Sequence, residues 1–151
     1  MHINPHPAAG LFRRIAAIVY DSLLLLAVLF VAASPFVIIT GGSRQGMLVH
    51  LLFQIYLLAV SFIFFAWFWI HGGQTLGMRA WRLQIVREDG GKLGWRDAAL
   101  RFFSAMLSWL CFGLGFLWIL IDKEKLAWHD RLSRTRVVLL PKPETKRDKS
   151  H

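Results

Sequence analysis

The sequence predicts an all-α membrane protein with two long transmembrane helices and a third helical segment that is broken or re-entrant. Hydrophobic residues make up 56% of the 151 residues, and they are grouped into long runs. The 18 Lys and Arg residues all lie outside those runs. Because a soluble domain interleaves its apolar and polar residues, this block pattern excludes an ordinary globular protein.

Residues 15–39 and 47–70 form the two longest apolar runs. Asp21 is the one charged residue of the first run, and the second contains no Asp, Glu, Lys or Arg. As helices they would reach about 36 Å or more, which is enough to cross a bilayer. The first run is longer than the apolar region of a signal peptide and contains an acid, so we interpret it as a retained helix.

The segment 71–97 is polar and basic. Within it, β-prone residues flank Asp89-Gly90, which is typical of a tight turn, so the pattern predicts a small cytoplasmic β-hairpin at about 82–96. Residues 134–140 are a further strand candidate that could join the hairpin. We therefore expect one transmembrane domain over residues 1–140. The charged segment 141–151 is predicted to be a disordered basic tail.

The third apolar region, at 98–121, is ambiguous. It has no formal charge between residues 102 and 121, so a full crossing is allowed, but Gly113 and Gly115 interrupt it. With the N-terminus in the cytoplasm, two crossings also place 71–101 there, in agreement with the positive-inside rule. A third full crossing would export the basic C-terminal segment. A broken, re-entrant helix in the inner membrane of a bacterial cell, with a cytoplasmic C-terminus, is therefore favoured.

Asp21 is the most informative single residue, because a carboxylate inside a bilayer helix needs compensation. Arg14 lies seven residues earlier on the same helical face, and its long side chain could meet Asp21 directly or through one water. Arg101 is the alternative partner. Two interpretations stay open: Asp21 is a cation or proton ligand facing the helix bundle, or it is half of an ion pair that fixes helix register.

Other chemical signals are weak. His129 and Asp130 offer an adjacent base and acid, but no further ligands at matching spacing predict a metal site, and a capping role is favoured. Cys111 cannot form an intrachain disulfide. Enzyme motifs and nucleic-acid-binding motifs are absent, so we expect no catalytic residues, no cofactor and no nucleic-acid partner.

Three motifs follow one another along the chain, at residues 12–21, at 73–79 with 82–86, and at 128–132 with 135–138. Together they resemble the RDD family of small bacterial membrane proteins, which is named for one arginine and two aspartates. The resemblance extends over roughly residues 10–140. It implies that the named residues are Arg14, Asp21 and Asp130, with Asp122 as a rival to Asp130. We add Thr75, Arg101 and His129 as supporting candidates for the site.

The family is described as containing transporters of largely unknown ligands, some of them linked to sodium–proton exchange by paired members. The resemblance therefore implies a transport protein or transporter subunit, with cation/proton exchange as a candidate activity and Asp21 as its intramembrane carboxylate. The alternative is a non-catalytic membrane adaptor or assembly protein. We expect contacts with anionic lipid headgroups. Because two or three short helices cannot enclose a pathway, we also expect a homo-oligomer or another membrane subunit.

Overall fold

The two longest elements are apolar helices. The computed structural model describes residues 7–42 and 46–141, and α1 (Leu11–Thr40) and α2 (Met47–Gly72) are both long and apolar enough to cross a membrane. At about 1.5 Å per residue, each exceeds the hydrocarbon thickness of roughly 30 Å. Their most apolar stretches are not covered by protein, so lipid is the environment that suits them. The two predicted spans are confirmed, and both helices extend beyond the predicted bounds.

The remaining elements are short and lie between and after the spans. A helix α3 (Leu76–Ala80) leads into strand β1 (Leu83–Arg87), and α4 (Trp95–Leu110) follows. After a sharp bend come α5 (Leu114–Leu117) and a 3₁₀ turn over Trp118–Leu120. The chain then ends its described part with α6 (Trp128–Leu132) and β2 (Thr135–Leu139). Most of the predicted basic tail, residues 142–151, lies outside the described residues.

The small sheet consists of β1 and β2, paired antiparallel with Ile85 opposite Val137. The strand predicted at 134–140 is therefore confirmed as a partner of the strand near residue 83. The local hairpin at 82–96 is wrong in its second half, because residues 91–94 form no strand. Asp89 accepts the N–H of Gly91 and binds Arg87, which closes a turn that leads into α4 and not back along β1.

The sheet places several segments on one side of the membrane. The backbone N–H of Ala9, just before α1, donates to the carbonyl of Val137 at 3.0 Å, so the N-terminal segment joins the same layer. The segments α4 and α5 with its 3₁₀ turn meet at an angle of 105°. Because β2 pairs with Arg87 and α4 begins at Trp95, the bent segment starts and returns at the sheet. A segment that bends sharply and comes back to the sheet fits the broken or re-entrant helix that the sequence predicts.

The apolar core lies at the sheet end of the helices. Both α1 and α4 pack against α2, α1 also packs against α3, and α4 also packs against α6. Small residues of the helices, such as Ala17 and Ala66, are buried against the sheet residues Leu83 and Ile85. Toward their other ends, α1 and α2 expose large apolar side chains. Protein contacts are thus concentrated at one end of the molecule, and this is where the polar residues of interest lie.

The strand pairing predicts a specific cross-link. In a chain whose Cys111 is replaced by serine, Val86→Cys with Arg136→Cys should form a disulfide under mild oxidation, because these residues are directly opposite in the sheet. The control pair is Val86→Cys with Leu139→Cys, which is displaced by three residues, or about 10 Å along the strand. Gel mobility with and without reductant measures the product. Equal cross-linking of both pairs would contradict the register.

Candidate functional site

Asp130 is fully buried and accepts hydrogen bonds from two arginines. Nη1 of Arg14 lies 2.5 Å from its Oδ2, and Nη1 of Arg101 lies 2.6 Å from its Oδ1. Both arginine side chains are themselves buried. Hydrogen bonds between charged groups are stronger than neutral ones, and a buried carboxylate requires partners of this kind. We refer to Arg14, Arg101 and Asp130 as the arginine–aspartate cluster.

The start of α6 positions the Asp130 carboxylate. As the third residue of that helix, Asp130 accepts the otherwise unpaired backbone N–H of Ala127 at 3.1 Å. Desolvation alone would raise the pKa of the Asp130 carboxyl, but the charges of Arg101 and Arg14 outweigh it and hold the pKa well below its usual value. The carboxylate is therefore ionised. Two guanidinium groups and one carboxylate leave the cluster with one unit of excess positive charge.

All three guanidinium nitrogens of Arg14 donate hydrogen bonds to oxygens of the protein. Besides its bond to Asp130, its Nε donates to the carbonyl of Ala9 at 3.2 Å and its Nη2 donates to the carbonyl of Lys125 at 3.1 Å. The side chain thereby joins the start of α1 to the segment that precedes α6. Arg14 has a structural role that its position in the first motif does not by itself reveal.

Of the three guanidinium nitrogens of Arg101, only Nη1 donates hydrogen bonds to the described residues. Its Nη1 donates both to Asp130 and to Oγ1 of Thr135, the latter at 2.9 Å. Its guanidinium carbon lies 5.5 Å from the ring centroid of Trp69, within the range of a cation–π contact. Within residues 7–42 and 46–141, no group accepts a hydrogen bond from its Nε or Nη2. Part of the guanidinium is therefore available to a ligand.

Asp21 is bound by α3 and not by either predicted arginine. Its Oδ2 accepts the hydroxyl of Thr75, and its Oδ1 accepts the backbone N–H of Gly77 at 2.8 Å. The predicted ion pair of Asp21 with Arg14 is wrong, and so is the alternative with Arg101, because both arginines form their ion pairs with Asp130. Among the described residues Asp21 has no ion pair, although only 4% of its surface is exposed.

Gly77 allows this close approach of α3 to α1. A Cβ atom at this position would collide with the carbonyl of Ala17 and would lie 2.9 Å from Cγ of Asp21. Thr75 completes the junction, because its hydroxyl oxygen also accepts the N–H of Met78 at 3.2 Å and so begins α3. The contact between Asp21 and α3 thus depends on a small residue and on a helix-capping residue two positions apart.

A partly open cavity of about 310 Å³ lies between α1 and α4, with α2 behind it. Its walls are mainly apolar, but five of the predicted site residues line it, namely Arg14, Asp21, Thr75, Arg101 and His129. Asp130 lies behind the two arginines. The structure therefore brings six of the seven predicted residues to one region of the molecule.

Asp122 is the predicted residue that lies elsewhere. It accepts the N–H of Leu126 at 2.9 Å and Nη2 of Arg131 at 2.5 Å, in the turn before α6. The hydrogen bond from Leu126 contributes most to lowering the pKa of its carboxyl below the usual value. Asp122 stabilises this turn. It is not a wall of the cavity and does not replace Asp130 in the cluster.

His129 lies against the cluster, and its buried Nδ1 has no hydrogen-bond partner among the described residues. Its Nε2 is 3.6 Å from Oδ1 of Asp130, beyond hydrogen-bonding distance. Desolvation lowers the pKa of the imidazole to about 3, and the attraction of Asp130 only partly opposes it. The ring is therefore neutral at physiological pH.

Trp69 and Gly77 contribute to the site but were not predicted from the sequence. Trp69, near the end of α2, is buried beside Arg101. Gly77 stands in the central motif, but its spacing alone carries no sign of contact with Asp21. A glycine two residues after a threonine that can cap a helix is the local signal that could have indicated a close helix contact.

Comparison with known proteins identifies the family. The RDD family profile matches residues 8–134, which include Arg14, Asp21 and Asp130. The chain belongs to the RDD family. The family predicted from the three motifs is thereby confirmed, and this RDD protein is a membrane protein with two helices able to span a bilayer.

One relative among curated proteins matches part of the chain. The RDD protein is 36% identical over 64 residues to "Uncharacterized protein YxaI" of Bacillus subtilis (strain 168). The match covers 42% of this chain and 42% of that relative, so the chain spans less than half of the relative's length. No solved structure matches the chain. The likeness supports membership of a family and carries no substrate with it.

The cluster predicts a large effect of Asp130→Asn. Removing this charge leaves two buried arginines without a counter-charge, which should lower the free energy of unfolding by about 3–5 kcal/mol. Thermal unfolding of the detergent-purified protein measures the loss. Asp89→Asn is the matched control, because Asp89 pairs with Arg87 at the surface and should change stability far less, since solvent screens an exposed ion pair. Similar losses in both variants would contradict a central role for Asp130.

His129 predicts a loss of stability in mild acid. Because its pKa is about 3 in the folded protein and about 6.5 when unfolded, the unfolded chain binds the extra proton over this interval. Its contribution to stability is complete above pH 6.5 and falls as the pH drops toward 3, by about 2 kcal/mol between pH 7 and pH 5. Unfolding midpoints in detergent measure this slope. His129→Gln should flatten it, and an unchanged slope in that variant would exclude His129 as its source.

Proposed function

We propose that this RDD protein is a transport protein, or a subunit of one, in the inner membrane of a bacterial cell, and that Asp21 is its proton-binding carboxylate. One observation carries the proposal: Asp21 is a buried acid on the wall of a partly open cavity within a spanning helix, and no cation of the described chain pairs with it. An acid inside a membrane helix is costly and usually marks a pathway for ions or protons.

The surroundings of Asp21 favour a proton over a metal cation. Both neighbouring groups, the Thr75 hydroxyl and the Gly77 N–H, act as hydrogen-bond donors to the carboxylate. A hard cation such as sodium needs several oxygen acceptors in its shell. A proton needs only one carboxylate oxygen that can exchange it. Protonation and release at Asp21 is therefore the simplest exchange chemistry that this side chain supports.

The position of Asp21 suits access from one side. Asp21 lies ten residues after the start of α1, or about 15 Å along its axis. The sheet, the start of α1 and the end of α2 all lie at this same end. The basic segment 71–101 belongs to this end as well, and the positive-inside rule assigns such a segment to the cytoplasm. We therefore assign the proton site to cytoplasmic access, next to anionic lipid headgroups.

A complete pathway requires another chain. Two crossing helices and one re-entrant segment bound the cavity on three sides, and the cavity is partly open. A second copy of this chain or another membrane subunit could close it with the apolar faces of α1 and α2, which expose large side chains. The proposed working unit is therefore a homo-oligomer or a complex with another membrane subunit, and it involves no nucleic acid.

A non-catalytic membrane adaptor is the second candidate. The observation that favours it is that Arg14, Asp130 and Asp21 all bind groups of the protein itself. In that case the polar residues hold α3, α6 and the sheet together, and the basic cytoplasmic surface recruits another membrane complex. The two candidates differ in whether Asp21 exchanges a proton during function.

The transport proposal predicts a loss of flux in Asp21→Asn. Proteoliposomes that contain the wild-type protein should dissipate an imposed pH gradient on addition of sodium or lithium, as reported by an enclosed pH dye. The variant should reduce this rate at least about tenfold, because an amide cannot carry the proton. It keeps the size of the side chain and an oxygen for the N–H of Gly77.

The surface variant Asp89→Asn is the control and should transport like the wild type. Size-exclusion profiles and thermal unfolding check that both variants are folded. Absence of flux in the wild type in every reconstitution, or equal flux in Asp21→Asn, would refute the proposed role. Loss of folded protein in Asp21→Asn, with no wild-type flux, would favour the adaptor.

A further inference from the structure

Arg101 has binding capacity that the fold does not use. The arginine–aspartate cluster has one unit of excess positive charge, and Arg14 donates from all three of its guanidinium nitrogens to protein oxygens. Arg101 donates from Nη1 alone, to Asp130 and Thr135. Because a buried charge without full compensation is unfavourable, the spare N–H groups of Arg101 suit an anion in the cavity that this residue lines.

A second residue on the wall of the same cavity has a buried nitrogen without a hydrogen-bond partner among the described residues. The imidazole of His129 lines the cavity, only 4% of the residue is exposed, and its Nδ1 has no hydrogen-bond partner in the described part of the chain. Buried polar atoms of this kind are rare, and a bound water, ion or ligand is one explanation for them. In its neutral form the ring offers one donor nitrogen and one acceptor nitrogen. A ligand headgroup with both an acceptor oxygen and a hydroxyl would match Arg101 and His129 together.

The rest of the cavity is apolar and elongated. From Arg14 to Leu25 its wall follows α1 over about 16 Å, and Met106 and Trp109 of α4 line the opposite side. These residues belong to the helical segments suited to the hydrocarbon layer. A ligand with an alkyl chain could enter from the lipid and lay that chain along this wall. The volume of about 310 Å³ lies within the usual range for sites that bind small molecules.

We propose that the cavity binds an anionic amphiphile with a phosphate monoester headgroup, held by Arg101 and His129, and with its alkyl chain between α1 and α4. A phosphate monoester carries acceptor oxygens for the guanidinium, and its singly protonated form also has a hydroxyl for the imidazole. The bound anion would offset the excess charge of the cluster. The inference does not depend on transport, because it requires binding alone.

Native mass spectrometry of the full chain in dodecyl maltoside tests this site with dodecyl phosphate as the probe. The detergent supplies a neutral competitor with the same chain length, so the adduct reports the headgroup. We expect one dodecyl phosphate per chain. Dodecanol should bind far more weakly, and inorganic phosphate should not displace the adduct at equal concentration, because it lacks the alkyl chain.

Two variants address the two halves of the ligand. Arg101→Lys keeps the charge beside Asp130 but removes the spare guanidinium donors, and it should weaken dodecyl phosphate binding at least about tenfold. Ala105→Phe fills the apolar wall, leaves the three residues of the cluster unchanged and should have a similar effect. Ala27→Phe is the matched control for it, because Ala27 is exposed on α1 and lies outside the cavity wall.

Several outcomes would overturn the inference. The absence of a dodecyl phosphate adduct on the wild type would refute the site. Equal binding of dodecanol would refute recognition of the headgroup, and displacement by equal inorganic phosphate would refute recognition of the alkyl chain in favour of a free anion. If Arg101→Lys fails to fold, Ala105→Phe against Ala27→Phe still decides, since equal binding by these two variants would place the ligand elsewhere.

Discussion

The buried carboxylate of Asp130 is the contact on which the sheet end of the molecule depends. It neutralises part of the charge of two arginines that come from different helices, and it also fixes the first turn of its own helix. Charges that leave water must be paired closely, and the pairing tolerates little displacement. Through Arg14 and Arg101, one side chain therefore determines how the starts of α1, α4 and α6 meet. The strand that follows α6 can then reach its partner.

Polar contacts matter here because the bilayer removes the usual driving force for association. The long helices expose most of their large apolar side chains, and lipid covers these as well as protein would. Helix packing within a membrane then depends on close van der Waals contact and on hydrogen bonds. Both are present where Gly77 allows α3 to reach Asp21. The specificity of the fold is thus concentrated in a few polar junctions at the sheet end of the molecule.

The sequence predicts the elements of this fold better than their contacts. The spans at 15–39 and 47–70 follow from a length that the bilayer imposes, and the bent segment follows from Gly113 together with the positions of the basic residues. The prediction of a local hairpin is wrong in its second half because β-propensity and a turn do not identify which strand pairs with β1. The pairing of Arg14 with Asp21 failed for a related reason. The spacing of residues along one helix shows only which side chains share a face of that helix. The partner of Arg14 is Asp130, which is 116 residues away in the sequence, and only the tertiary fold brings the two together.

The proton exchange proposed at Asp21 and the anion binding proposed at Arg101 would be linked by charge. With Asp21 ionised, the two acids balance the charges of Arg14 and Arg101. With Asp21 protonated, one positive charge is left uncompensated. An anion held at Arg101 would compensate it, and Coulomb interactions across apolar walls are weakened less than in water. Proton binding at Asp21 and anion binding at Arg101 would then favour each other, and by linkage each would change the affinity for the other by the same factor. A single cavity with an acid and a partly used arginine is sufficient for that coupling, without any movement of the helices.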